Sequence, residues 1–223
     1  MKRFHNREEA GRLLALRLSH YANRSDVIIL ALPRGGVPVG YEVSHALNIP
    51  LDVLVVRKLG VPGHEEMAMG AIATGAVRLL NLPMISALHI TPHSVVEVER
   101  RELAELERRE KLYRGSRLRL ETSGKTVILV DDGIATGSTM QAAIASLRQR
   151  QVERIVVATP VAAPSVLEIL RQLADEVVCE MTPEDFRGVG QWYDDFSQTS
   201  DEEVHFLLSA SAPEPTHLQL LTS

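Results

Sequence analysis

Two adjacent carboxylates, Asp131 and Asp132, follow an apolar run from Val127 to Val130. Such a short, β-branched run is typical of a parallel strand buried on both faces, and open α/β sheets bind ligands at the carboxyl ends of such strands. Small residues and hydroxyls occupy positions 135 to 139, ahead of a predicted helix from Met140 to Gln149. The main-chain N–H groups of such a loop can bind an anion at the helix N-terminus.

The carboxylates and the loop suit two parts of one ligand. Carboxylates accept hydrogen bonds from neutral hydroxyls, whereas the amide-lined loop suits an anion a few ångströms away. A ribose 5-phosphate presents both groups. The residues predicted to hold its phosphate are Ala135, Thr136, Gly137, Ser138 and Thr139. The alternative is an ordinary strand-to-helix turn with Asp and Ser as caps.

Two further loops follow predicted strands. Pro33-Arg34-Gly35-Gly36 comes after the apolar run Val27 to Leu32, and two glycines let main-chain amides approach an anion with no Cβ in the way. Arg57 and Lys58 come after a predicted second strand, Leu51 to Val56. Cations at that position suit a phosphate ligand. The alternatives are a plain β-to-α turn and solvated charges beside a strand.

The sequence V-I-L-V-D-D-G-I-A-T-G-S-T, Val127 to Thr139, resembles the phosphoribosyl-pyrophosphate (PRPP) motif of the type I phosphoribosyltransferases. P-R-G-G resembles the pyrophosphate loop of that family, and R-K resembles the start of its flexible catalytic loop. The resemblance implies transfer of the phosphoribosyl group of PRPP to a nitrogen acceptor, expected to be a nucleobase, with release of pyrophosphate. It also implies Mg²⁺, which would arrive bound to PRPP, since the sequence has no metal-ligand cluster with fixed spacing.

The resemblance also assigns roles to residues. The residues that it places at the reacting centre are Asp131, Asp132, Arg57 and Lys58. The residues that it assigns to pyrophosphate are Arg34, Gly35 and Gly36. The competing hypothesis is a non-catalytic PRPP or nucleotide sensor on the same fold. The cationic and glycine-paired loops favour the enzyme, because a binder of the 5-phosphate alone needs no pyrophosphate site.

An aromatic cluster in the C-terminal part stands out in a chain with only 4% aromatic residues. Phe186, Trp192, Tyr193 and Phe196 lie within 11 residues. Phe186, Trp192 or Tyr193 could stack on a planar acceptor base. The alternative is that these rings anchor the C-terminal segment on the core or fill a dimer interface.

The predicted strands and helices that position these residues indicate an α/β fold. We expect a Rossmann-like parallel sheet with helices on both faces, the type I phosphoribosyltransferase fold, plus an insertion at about 60–120. The insertion contains a predicted hairpin, Met67 to Ala73 and Ala76 to Leu80, and a long charged helix between the cap Thr91 and Gly115. That helix could form a lid or a contact in a homodimer.

Length and composition set the outer bounds. The 223 residues fit one domain at 1–208, with a hood-like segment at 181–208 and a loose tail at 209–223. A net charge of −5 with no basic block argues against a nucleic-acid partner. A single cysteine, Cys179, and the lack of a long apolar segment predict a cytoplasmic protein without a membrane partner.

Overall fold

The structure is a computed structural model that describes residues 3–211. The strands are β1 (Val27–Ala31), β2 (Leu51–Val53), β3 (Val56–Val61), β4 (His64–Ala73), β5 (Val77–Leu80), β6 (Thr126–Val130), β7 (Arg154–Val161) and β8 (Glu176–Met181). The helices are α1 (Arg7–Arg17), α2 (Gly36–Leu47), α3 (Leu82–Ala87), α4 (Pro92–Arg114), α5 (Ser138–Arg148), α6 (Pro164–Leu173) and α7 (Asp201–Ala210).

A five-stranded sheet, in the order β2-β1-β6-β7-β8, forms the centre of the fold, and every neighbouring pair is parallel. Alternate residues of each strand pack into separate cores on the two faces. Ile29 and Ile128 belong to one core, and Leu30 and Leu129 belong to the other. Because helices cover both faces, the sequences of the central strands are uninterrupted apolar runs. The predicted α/β fold class is confirmed.

The strand order reverses its direction of growth between β1 and β6. From β1 the chain passes to β2 on one side, and it returns later to place β6 on the other side. The last residues of the two strands, Ala31 and Val130, are direct partners in the ladder. The loops that follow β1 and β6 therefore meet at the switch point, where doubly wound sheets bind ligands.

A second, antiparallel sheet of three strands, β3-β4-β5, forms part of the insertion. The predicted hairpin is present as β4 and β5, and β3 adds a third strand to it. Helix α4 begins after the cap Thr91, whose side chain accepts from Ser94 N, and it ends at Gly115 as the sequence predicts. The small sheet lies between α4 and α5, which contact its strands.

The predicted second strand, Leu51 to Val56, is wrong in one respect. The central-sheet strand β2 ends at Val53, and after a change of direction the chain enters β3 at Val56. No residue pattern marks this break, because Leu54 and Val55 are also fully buried and continue the apolar run. Arg57 and Lys58 consequently lie inside a strand of the small sheet and not at the start of a flexible loop.

The C-terminal segment returns to the N-terminus of the chain. Phe4 and Tyr193 form a parallel bridge, supported by hydrogen bonds from Phe4 N to Trp192 O and from Asp194 N to Phe4 O. Helix α7 continues to Ala210, so the predicted tail at 209–223 begins inside a helix. The rest of that predicted tail, from 212 onward, lies outside the described residues.

Candidate active site

The glycine pair after β1 packs directly against the acidic pair after β6. A Cβ on Gly35 would overlap the carboxylate of Asp132, and a Cβ on Gly36 would lie 2.7 Å from Val130 O and 3.0 Å from Asp131 Cα. Glycine is therefore required at both positions for the two loops to touch. The structure thus brings together two groups of predicted site residues that are about a hundred positions apart in sequence.

The two carboxylates differ in their surroundings. Asp132 is buried, and its Oδ2 accepts from Arg7 Nε at 2.7 Å. Asp131 keeps some exposed surface as a residue although its carboxylate is desolvated, its Oδ1 accepts from Asp132 N at 2.9 Å, and no ion pair within residues 3–211 includes it. Burial, followed by the charge of Asp132, raises the pKa of Asp131 well above its usual range. Burial also raises the pKa of Asp132, and the charge of Arg7 opposes that rise.

The loop at positions 135–139 leads into α5 and presents its polar groups to solvent. The side chains of Thr136, Ser138 and Thr139 are exposed at the first turn of this 11-residue helix. Gly137 is the N-cap at φ 73°, and a Cβ there would lie 2.7 Å from Val166 Cγ1, so a left-handed glycine is needed to start the helix. Exposed hydroxyls and the initial N–H groups lie together at the helix N-terminus, where the sequence predicts a phosphate.

Arg34 lies in the loop with the glycine pair, after a cis Pro33–Arg34 peptide bond. Its guanidinium is 3.7 Å from a carboxylate oxygen of Asp201, the first residue of α7. This ion pair connects the predicted pyrophosphate loop to the C-terminal helix. Arg34 is about one-third exposed, which leaves part of its guanidinium accessible to a ligand.

Arg57 and Lys58 point to opposite faces of the small sheet, because successive side chains of a strand alternate. Arg57 faces α4, where it forms an ion pair with Glu102 at 2.5 Å. Lys58 is exposed on the face toward α5, where its Nζ donates to Glu66 O at 3.2 Å. The structure therefore brings Lys58, but not Arg57, toward the predicted phosphate loop.

A cavity of about 480 Å³ separates the small sheet from α5. Lys58 lines one wall, and Ser138 and Thr139 line the other, so the cavity joins the predicted phosphate loop to the cation on the insertion. Its remaining walls are mainly apolar and include Val56, Leu79 and Ala142.

The aromatic cluster is mostly buried. Trp192 and Tyr193 pack with Phe4, Ala10 and Val161, and the Tyr193 hydroxyl donates to the main-chain carbonyl of Asp132 at 2.6 Å. These two rings are therefore anchors of the C-terminal segment, as in the alternative stated above, and present no open face to a base. Phe186 packs at the edge of the same cluster and is only partly buried.

Arg7 is the residue of this site that the sequence interpretation missed. Besides Asp132, its guanidinium donates to Ser197 O at 2.7 Å and lies 4.1 Å from the centroid of the Phe196 ring. The available signal was weak. Arg7 is the first residue of a helix. Because the helix dipole disfavours a cation there, a nearby negative partner is expected.

A family model described as "Phosphoribosyl transferase domain" matches residues 2–196. The chain belongs to the phosphoribosyltransferase family. This match covers both halves of the site, from Arg7 to Phe196, and the predicted family is confirmed. Within the described residues, no helix is long and apolar enough to span a membrane, and no cluster of three or more His, Cys, Asp or Glu side chains could hold a metal.

Individual relatives agree with the family assignment. A protein named "Putative phosphoribosyl transferase", found in two strains of Mycobacterium tuberculosis, is 46% identical over 204 residues, which is 92% of this chain and 46% of the relative. The chain thus spans about half the length of these curated relatives. The crystal structure of TT1426 from Thermus thermophilus is 40% identical, with a TM-score of 0.82, and the alignment covers 95% of this chain and 100% of that one.

Proposed function

We propose that this phosphoribosyltransferase transfers the 5-phosphoribosyl group of PRPP to a nitrogen nucleophile and releases pyrophosphate. One observation carries the proposal: the glycine pair of the predicted pyrophosphate loop touches the acidic pair predicted to bind ribose. In PRPP, the pyrophosphate is attached to the same ribose that carries the recognised hydroxyls. A site that places an anion loop against two carboxylates therefore matches that ligand better than it matches a simple phosphate.

The ribose and its 5-phosphate would occupy the loop after β6. Asp131 and Asp132 would accept hydrogen bonds from the ribose hydroxyls, with one Asp132 oxygen held by Arg7. The N–H groups and hydroxyls at 135–139 would hold the 5-phosphate at the start of α5. The carboxylates would also lie near the positive charge that develops on the sugar, where fixed negative charge lowers the barrier.

The pyrophosphate would be held by the β1–α2 loop. Gly36 N already donates to Leu32 O at 3.1 Å, so the amide of Gly35 would face the leaving group, with Arg34 and Lys58 as its cations. Mg²⁺ would enter as part of the substrate, held by PRPP oxygens and water, and would neutralise part of the pyrophosphate charge. Arg57 is better described as a structural residue, because Glu102 holds it on the other face of β3.

The reaction breaks one bond and forms one. The bond from ribose C1 to the pyrophosphate oxygen breaks, and its electron pair leaves with pyrophosphate. The acceptor nitrogen donates a pair to C1 and then loses a proton to solvent or to a base. Catalysis here is mainly positioning and charge stabilisation, which suits a site built from loops, amides and fixed charges.

The acceptor would approach from the side of the C-terminal segment. Phe186 is the one ring of the predicted acceptor set that keeps an accessible surface, whereas Trp192 and Tyr193 are packed. A nucleobase remains the acceptor class that we propose. A homodimer and a cytoplasmic location remain predictions from the sequence.

A second candidate, a PRPP sensor without turnover, is favoured by a specific observation. All three expected cations already have carboxylate partners: Arg34 has Asp201, Arg57 has Glu102, and Lys58 has Glu66 at 3.6 Å. Catalysis would require Arg34 to exchange that partner for pyrophosphate. A sensor could bind the ribose 5-phosphate and leave this pair intact.

Pyrophosphate release, measured with Mg-PRPP and a panel of nucleobases, tests the two functions. Release with at least one base, abolished in Asp131→Asn/Asp132→Asn, would support the transferase. The matched control is Asp26→Asn, an exposed aspartate before β1 at the other end of the sheet. Calorimetric binding of Mg-PRPP with no release from any base would favour the sensor. Undiminished release in the double variant would refute the assignment of the acidic pair.

A further inference from the structure

We propose that Arg7 is a positioning residue for the acidic pair, which fixes the Asp132 carboxylate against the β1–α2 loop. This inference rests on the proposed function. It gives a role to a residue of α1 that lies outside the sequence motif.

Three neighbouring groups hold Asp132. Its Oδ2 lies between Arg7 Nε, at 2.7 Å, and the main chain of Gly35, where even a Cβ would not fit. The Tyr193 hydroxyl holds the main-chain carbonyl of the same residue at 2.6 Å. Asp132 is therefore fixed on three sides, and the oxygen that faces Gly35 and Arg7 is not open to a sugar hydroxyl.

The Arg7 side chain is itself held in place by several contacts. Its side chain is 12% exposed, donates to Ser197 O at 2.7 Å, and stacks on the Phe196 ring. Asn6 caps α1 by accepting from Glu9 N, which fixes the first turn from which Arg7 projects. An arginine with this many contacts, at a helix end that disfavours cations, is placed for its partner and not for the stability of the helix.

Arg7 supplies the positive charge beside the acidic pair. Two carboxylates in consecutive positions repel each other, and a nearby cation favours the deprotonated form of both. The groups facing Asp132 are Arg7 from α1 and Tyr193 from the C-terminal segment, beside the neighbouring Asp131. Asp195 and His5 flank Arg7, and Arg34 of the β1–α2 loop is engaged with Asp201. Without Arg7, no cation among the described residues would be in contact with the acidic pair.

Calorimetric titration with Mg-PRPP from about pH 5 to about pH 8 tests the role of Arg7. Arg7→Gln should weaken binding at neutral pH by about tenfold or more and move the acidic limb of binding to higher pH, because the carboxylates protonate more easily. Arg7→Lys keeps the charge and should keep the limb in place. Arg12→Gln, at an exposed arginine on the same helix, is the matched control and should change neither quantity.

A double-mutant cycle separates action through Asp132 from other roles. In an Asp132→Asn background, Arg7→Gln should add no more than about a twofold change, because its partner is already neutral. The full effect persisting there would overturn the proposal, as would unchanged or tighter binding by Arg7→Gln with an unmoved acidic limb. If Arg7→Gln does not fold, an acidic limb that moves in Arg7→Lys overturns it. Absence of Mg-PRPP binding by the wild type would instead refute the proposed function itself.

Discussion

Two aspartates of the central sheet, Asp52 and Asp131, have opposite surroundings. Asp52, in β2, accepts from Arg114 Nε at 2.9 Å, from Val53 N at 2.7 Å and from Leu120 N at 3.2 Å. Asp131, after β6, belongs to no ion pair within the described residues, and burial raises its pKa. One carboxylate is saturated by the protein. The other is left with capacity to accept.

The difference separates architecture from function. Arg114 completes the first cluster by donating also to Glu110 and to Val53 O, and this joins the insertion to the central sheet. Buried charges normally have such partners, because an uncompensated buried charge is costly. A carboxylate that lacks them, at a topological switch point, is the one that a ligand can complete.

The largest expected effect comes from breaking the saturated cluster. Arg114→Ala should lower the free energy of unfolding by about 3 to 5 kcal/mol, because it leaves the buried Asp52 charge without its cation. Denaturant unfolding followed by circular dichroism measures this. Arg119→Ala, at an exposed partner of Glu110, is the control and should cost about 1 kcal/mol or less. A loss of similar size in both variants would contradict the distinction.

The next effect concerns the open carboxylate. Asp131→Asn should weaken Mg-PRPP binding about 100-fold, about 2.7 kcal/mol, since hydrogen bonds to a charged acceptor are the strong ones. Stability at neutral pH should stay the same or rise, because a desolvated charge that has no ion-pair partner is removed. Calorimetry and thermal unfolding of the same samples check both. Intact affinity combined with a clear loss of stability would make Asp131 a structural residue.

Smaller effects on binding and stability are expected at the two cations of β3, Lys58 and Arg57. Lys58→Ala should weaken Mg-PRPP binding about tenfold, about 1.4 kcal/mol, and leave stability within about 0.5 kcal/mol. Arg57→Ala should do the reverse and cost about 1 kcal/mol of stability through loss of the half-buried Glu102 pair, with little change in binding. Equal binding defects in the two variants would show that Arg57 also reaches the ligand.

The smallest expected effect is a change in how the free energy of unfolding depends on pH. Because the folded pKa of Asp131 lies above its unfolded value of about 3.9, the folded state holds the proton longer, and this group reduces stability as pH rises between the two values. One group can contribute at most about 1.4 kcal/mol per pH unit. Thermal unfolding of Asp131→Asn against pH should lack this decline. Parallel curves for both proteins would exclude it.

Sequence patterns were sufficient for the features that local chemistry encodes. The apolar runs of β1 and β6, each followed by its polar loop, predicted two buried parallel strands with ligand-side loops at their carboxyl ends. The break between β2 and β3 was not predictable, because Leu54 and Val55 are as buried as the strands on either side. Arg7 was not predictable either, since a contact across 125 residues leaves no periodic pattern.

The contacts of Arg7 also bear on when the site forms during synthesis. Arg7 is made 190 residues before Ser197, which holds its guanidinium. The hydrogen bond from the Tyr193 hydroxyl to the Asp132 carbonyl also forms only after the last part of the domain has been made. The central sheet can assemble as its strands emerge. We therefore expect a nascent chain that stops before about residue 190 to have the sheet but not the completed acidic pair.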